Sequence, residues 1–246
     1  MCLGDFVTYV LEHSTTMAHP SSTASGTLAS FTAIMDTNDV INGLIRYLAL
    51  VIMLTFHEFG HAWMAHKCGD DTAKSDGRVS LNPLVHIDPI GTVLIPLLQI
   101  FLPGMGGYLV GWAKPVPVNP NNLRNPKFDD ILITMAGPWM NLLLAVVLMG
   151  LAKIGVMTGT EGLTQFCLMA VVLNLALFFF NLLPIPPLDG SHIMRIVTGM
   201  SYETYYQIAR FGFLIIIVVI NLEPVSRLLG YMIISTASIL AGWFGV

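Results

Sequence analysis

The chain has 246 residues, of which 54% are hydrophobic and only 11% charged, with a formal net charge of −4. Soluble domains carry about 25% charged residues, so this composition excludes an ordinary soluble domain and reads as an integral membrane protein. The length allows about five or six spans with short loops. A small negative charge without a basic patch argues against nucleic acid as a partner.

Residues 1–40 contain no Lys or Arg, and 13–32 are rich in Ser, Thr and Ala. With no basic n-region, a cleaved signal peptide fits poorly. The stretch reads as a loose tail, in which residues 3–11 have enough apolar character for a short interfacial helix. Residues 41–65 form the first predicted span, about 37 Å long as a helix and enough to cross with some tilt. Inside it stands His57-Glu58-Phe59-Gly60-His61. His57 and His61 are four apart and so share one helix face. Two imidazoles so placed can hold one zinc ion, with Glu58 beside them as the base for its water. His57 lies about 24 Å from the start of the span, inside the bilayer but towards the far face. Ionisable groups there are costly and read as functional.

Residues 66–88 are a polar loop, with Val79-Ser80-Leu81 as a short strand and Asn82-Pro83 as a turn. Residues 89–113 are apolar but interrupted by Pro103-Gly104-Met105-Gly106-Gly107, which favours a re-entrant hairpin over one straight helix. Residues 114–130 are again polar. Residues 131–154 are the second confident span and contain Gly137-Pro138-Trp139-Met140-Asn141. Residues 163–183 are the third, ending in Asn181 and a proline cluster. Residues 186–210 read as a mixed loop, with Tyr202, Tyr205 and Tyr206 suited to the membrane interface. Residues 211–222 and 228–246 are two short spans, or one span and an interfacial segment. The expected fold is all-α and multi-pass, with a re-entrant segment between the first two confident spans.

Basic residues test the topology. If 89–113 enters and leaves on one side, Lys67, Lys74, Arg78, Lys114, Arg124, Lys127, Arg195 and Arg210 share the cytoplasmic side, eight of the eleven in the chain. The positive-inside rule favours that arrangement, which puts the His57 site nearer the cytoplasm.

A hydrolytic zinc site takes three protein ligands and one open position. The third candidate is Asp189, in Asn181-Leu182-Leu183-Pro184-Ile185-Pro186-Pro187-Leu188-Asp189-Gly190. The prolines stop the helix and Gly190 permits a tight turn after the acid. Zinc with two neutral imidazoles, one carboxylate and a hydroxide is neutral, which suits a low-dielectric site. Cys2, Cys68 and Cys167 are scattered and give neither a disulfide framework nor a sulfur-rich metal site.

His57-Glu58-x-x-His61, then Gly137-Pro138-x-x-Asn141, then Asn181-x-x-Pro184-x-Pro186-x-Leu188-Asp189-Gly190 resemble, in that order, the motifs of the site-2 protease family of intramembrane metalloproteases. The resemblance covers about residues 41–200. It implies one zinc ion held by His57, His61 and Asp189, a catalytic Glu58, and cleavage of a transmembrane or membrane-associated protein in or near the bilayer. Asn141 and Asn181 match positions linked to the active-site region, with substrate or oxyanion contact as the implied role. Gly106-Gly107-Tyr108 resembles the family's re-entrant β segment, which would pair with unwound substrate by strand addition. Only about eight residues separate the second and third spans, so the expected type is compact and lacks a PDZ domain there. Residues 41–246 are then one metalloprotease domain behind the 1–40 tail, in a prokaryotic plasma membrane.

Blander readings stand beside these. Asp189 can cap a turn, Asn141 and Asn181 can bond neighbouring helices, and His66, His86, Asp88 and His192 read as loop or interface residues. Two other functions compete with the protease. One is a transporter or metal-handling protein, since transporters also use broken helices, but Glu58 has no purpose there. The other is a silent scaffold of the same fold, against which the intact Glu58 and ligand set argue.

Overall fold

The computed structural model describes residues 37–101 and 111–246, and every regular element among them is helical. The expected interfacial helix at 3–11 and the Gly106-Gly107-Tyr108 segment lie outside the described residues. The chain divides into two compact units, Met1–Ile52 with Ile87–Lys114, and Met53–His86 with Pro115–Val246. Helix α1, Thr37–Cys68, begins in the first and ends in the second.

In the first unit a π turn, Pro89–Leu94, runs into helix α3, Ile95–Phe101. The Asp88 carboxylate caps it, accepting from the backbone N–H of Ile90 and Gly91 at 3.0 and 2.7 Å. Thr92 Oγ1 donates to the Trp112 carbonyl at 2.7 Å. Together Pro89–Phe101 forms a short apolar helical stretch, well under the about 20 residues a span needs.

The second unit holds the rest. After α1 come α2 (Thr72–Ser75), α4 (Pro126–Thr158), α5 (Glu161–Asn181), α6 (Gly190–Thr198), α7 (Tyr202–Ala209), α8 (Gly212–Ile220) and α9 (Glu223–Phe244). Helices α1 and α4 both stop at a glycine in the left-handed region, Gly69 and Gly159. There the next N–H reaches back five residues, Asp70 to Ala65 and Thr160 to Gly155, the Schellman ending of a helix. The short turn makes α4 and α5 antiparallel neighbours. Their buried face is lined by Ala145, Met149, Ala152, Cys167, Val171 and Leu175, mostly small or slender side chains that let the helices approach. Helix α9 packs on both, and α6 packs on α4.

Four helices among the described residues are long and apolar enough to cross a membrane: Val40–Cys68, Pro126–Thr158, Glu161–Asn181 and Glu223–Phe244. A fifth crossing follows if α7 and α8, bent by 64°, are one broken span. Only 17–33% of these apolar windows is buried within the protein. So much outward apolar surface is stable only in lipid, and the chain is an integral membrane protein.

Two expectations are corrected. Val79-Ser80-Leu81 is not a strand but a series of bends. The Arg78 and Ser80 N–H groups are spent on the Ala73 and Arg78 carbonyls, leaving no ladder. Residues 186–210 are not a loop, because α6 and α7 fill most of them. Gly199, left-handed, ends α6, and the Ser201 side chain caps α7 by accepting from Thr204 N.

Beyond α1, Asp70 is wholly buried. Its carboxylate accepts from Thr72 N and Oγ1 (3.1 and 2.5 Å), Asn119 N (2.7 Å) and Asn122 Nδ2 (2.9 Å). Burial raises its pKa, but the bonds from Thr72, Asn122 and Asn119 outweigh burial and leave it below the usual value. A depressed pKa stabilises the fold fully above the unfolded value of about 3.9, and that contribution is lost as pH falls through the folded value. Asp70→Asn is therefore expected to cost about 2 kcal/mol at pH 7, read as a lower Tm in detergent. The gap should close as pH drops below about 4. An equal gap at pH 7 and pH 3 would assign the loss to shape and not to charge.

Candidate metal centre

His57, Glu58 and His61 lie on the part of α1 that belongs to the second unit, and all three are buried. The four-residue spacing sets the two rings edge to face, with centroids 4.6 Å apart and planes at 82°. Asp189 arrives from the turn between α5 and α6. Asn181 ends α5 because Pro184, Pro186 and Pro187 cannot continue it. The chain then doubles back so tightly that a Cβ on Gly190 would meet the Leu183 carbonyl at 2.7 Å. Asp189 stands at the N-cap of α6 but makes no side-chain cap bond. Its carboxylate faces the histidines instead, with Oδ2 3.2 Å from His57 Nε2 and Oδ1 3.4 Å from His61 Nε2.

Helix α4 supplies the opposite wall, through a stripe at Ile133, Gly137 and Asn141. His61 Nδ1 donates to the Ile133 carbonyl at 2.7 Å. Pro138 lies inside α4. It has no N–H to give the Thr134 carbonyl, and the carbonyl one residue earlier, that of Ile133, is the one His61 reaches. Gly137 leaves the room: a Cβ there would collide with His61 Nε2 and stand 2.8 Å from His57 Cε1. Asn141 is wholly buried, and its Nδ2 lies 3.2 Å from His57 Nδ1.

The electrostatics identify what the group can hold. The Ile133 bond places the His61 proton on Nδ1, so in a neutral ring Nε2 presents a lone pair. That lone pair faces His57 Nε2 at 3.0 Å and a carboxylate at 3.4 Å. Asp189 Oδ2 is buried without a hydrogen-bond partner. Acceptors facing one another at such distances repel unless a cation or a proton lies among them. In tetrahedral zinc with ligands at about 2.0 Å, neighbouring donors stand about 3.3 Å apart. Here the two Nε2 atoms are 3.0 Å apart, while the carboxylate divides, Oδ2 standing 3.2 Å from His57 and Oδ1 3.4 Å from His61, and one ligand atom from each residue lies within 4.8 Å of the other two. Two imidazoles and a carboxylate are also a donor set that zinc takes, so the residues fit the metal.

Asn181 is part-buried, and its Nδ2 turns back to the Leu177 carbonyl at 2.9 Å. Of the histidines read as loop residues, His66 pairs with Asp71 at 2.5 Å on the surface, and His86 is buried with Nε2 donating to the Ser80 carbonyl at 2.8 Å. Burial lowers the pKa of both His86 and Arg78, and the charge of Glu58 opposes it in each case. The polar loop after α1 thus brings a cation into the field of Glu58.

One cluster joins residues that are far apart in the sequence. Arg195 of α6 donates to Asp130 of α4 at 2.7 Å, and its guanidinium lies 3.9 Å from the Tyr202 ring centre. His192 reaches the other Asp130 oxygen at 3.3 Å, and Ser191 meets the Tyr205 hydroxyl at 3.0 Å. This network fastens α6, and with it Asp189, to α4. Its one sequence signal is Ser191, His192 and Arg195 following Asp189 on one short amphipathic helix.

A family model described as peptidase family M50 matches residues 45–160 and 149–220. The Bacillus subtilis (strain 168) protein YwhC, provisionally named a zinc metalloprotease, is 40% identical over 185 residues, 71% of this chain and 80% of YwhC. The similarly named Rip2 of Mycolicibacterium smegmatis is 31% identical over 180 residues, 72% of this chain and 66% of that protein. Rip2 of Mycobacterium tuberculosis is 33% identical over 140 residues, 57% of this chain and 52% of Rip2. No solved structure matches.

Proposed function

The chain belongs to peptidase family M50, and from that membership we propose that it is an intramembrane zinc endopeptidase that cuts a transmembrane or membrane-associated protein. The observation that carries this reading is the convergence of His57, His61 and Asp189 in one group, the two histidines buried on a helix long and apolar enough to span and Asp189 part-buried on the turn between α5 and α6. In this reading residues 41–246 form the catalytic domain. His57 and His61 bind the metal through Nε2 and Asp189 through its carboxylate, one zinc per chain. Zinc, when bound, polarises the scissile carbonyl and acidifies water. Glu58 takes the proton of the attacking water and returns it to the leaving nitrogen. Asn181, part-exposed where α5 ends, contacts the substrate backbone. The eight basic residues of three loops support an active site nearer the cytoplasm, and the bacterial relatives support a prokaryotic plasma membrane.

Purified wild type is expected to hold one zinc per chain and to cut a single-span reporter in detergent or liposomes. Asp189→Ala should lose zinc on dialysis against a weak chelator. Unchanged zinc in that variant would make another residue the third ligand, and an uncut reporter beside zinc-loaded wild type would favour the transporter reading.

A further inference from the structure

Both histidines are gripped from α4 on the nitrogen that faces away from Asp189, but the two grips differ. At His61 the partner is an acceptor, the Ile133 carbonyl, at 2.7 Å. At His57 the partner is the Asn141 amide, 84 residues away in sequence, with Nδ2 at 3.2 Å. As placed, the amide turns a donor to His57 Nδ1 and leaves its own Oδ1 buried and unbonded. A donor there would oblige Nδ1 to carry the lone pair and would push the ring proton onto Nε2, where Asp189 Oδ2 stands at 3.2 Å. A buried amide oxygen without a partner costs about 1–3 kcal/mol. Turning the amide end for end is nearly isosteric, and O and N are exchanged by hydrogen-bond logic alone. It brings the orphaned oxygen to Nδ1 and makes the grip on His57 match the grip on His61.

We propose that Asn141 is a positioning residue of the metal centre, its side-chain oxygen accepting the Nδ1 proton of His57 so that Nε2 is presented unprotonated to the metal. The proposal rests on the zinc-binding reading of His57, His61 and Asp189. Metal-bound histidines commonly donate their second N–H to an oxygen that fixes tautomer and ring orientation, and loss of such a partner costs 10- to 100-fold in affinity. Ile133 and Asn141 lie eight residues apart, about two turns, with Gly137 midway. One face of α4 therefore offers an acceptor, a gap and an acceptor. Asn141 acts through His57 and touches no reacting atom.

The test measures zinc affinity by competition with a chromophoric chelator, for wild type, Asn141→Leu and Asn141→Asp, with Tm of the zinc-stripped proteins as a check on folding. Asn141→Leu removes the acceptor at similar volume and is expected to weaken zinc 10- to 100-fold. Asn141→Asp can only accept from Nδ1–H, and should bind zinc at least as tightly as wild type. That variant decides alone if the leucine protein fails to fold, because an amide needed as a donor would not be rescued by a carboxylate. Wild-type zinc affinity in Asn141→Leu, or a loss in Asn141→Asp as large as in Asn141→Leu, overturns the proposal. So does a raised KM with unchanged zinc affinity in Asn141→Leu, the mark of direct substrate contact. A wild type that holds no zinc overturns the centre itself, and is told apart because no variant is then needed.

Discussion

Glu58→Gln should leave zinc content at the wild-type level and lower reporter cleavage by a factor on the order of 10² to 10⁴. Glu58 follows His57 directly, so its side chain leaves α1 about 100° round the helix from His57 and about 60° from His61. It is 9% exposed, and glutamine fills the same volume without a proton-accepting carboxylate. Bound zinc and abolished cleavage in one protein separate proton transfer from metal binding. Cleavage that survives Glu58→Gln would remove Glu58 from the mechanism. Loss of zinc would make it part of the metal site.

The second large effect is steric. Gly137→Ala adds one methyl group where His61 Nε2, His61 Cε1 and His57 Cε1 already stand. The rings cannot simply rotate away, since the Ile133 carbonyl holds His61 and the Asn141 amide meets His57. Either the imidazoles turn off the Asp189 carboxylate or α4 retreats from α1, and both separate donors that now lie within 4.8 Å. Zinc affinity is expected to fall by at least about 100-fold, the upper range for disturbing the groups that orient a ligand. Gly230→Ala is the control. A Cβ there meets nothing within 4 Å, so alanine should be neutral or stabilising by up to about 1 kcal/mol. Wild-type zinc binding in Gly137→Ala would mean that α4 does not wall the site.

What the sequence could reveal follows from how local each feature is. The His57–His61 pairing is a property of any helix and needs no tertiary information. The end of α5 is equally local, since three prolines in four residues after Leu183 decide it. The Asp130–Arg195 pair is 65 residues apart, and nothing in either segment names the other. Tyr205 illustrates the same limit. It reads as an interfacial aromatic, but α7 turns it inward against Ser191 and His192, while Tyr206 beside it is exposed. The strand expected at 79–81 failed because β-branched character mattered less there than turns closed by neighbouring residues. Gly137 was visible as part of a motif, but its purpose was not, because an absent side chain has meaning only when the rings that occupy its place are known.

The site's dependence on α4 has a consequence for how such sequences vary. Asp130 indexes the Asp189 segment, and Ile133, Gly137 and Asn141 index the two histidines. Both halves of the centre are thus calibrated against one stretch of twelve residues, about 17 Å of helix. A single insertion between 130 and 141 would rotate the reference points on one side of it about 100° against those on the other and part His57, His61 and Asp189 without changing any of the three. The same insertion beyond 145 would spare those reference points but turn Met149 and Ala152 off the face that α4 buries against α5, so the packing holds the rest of the helix to its length as well.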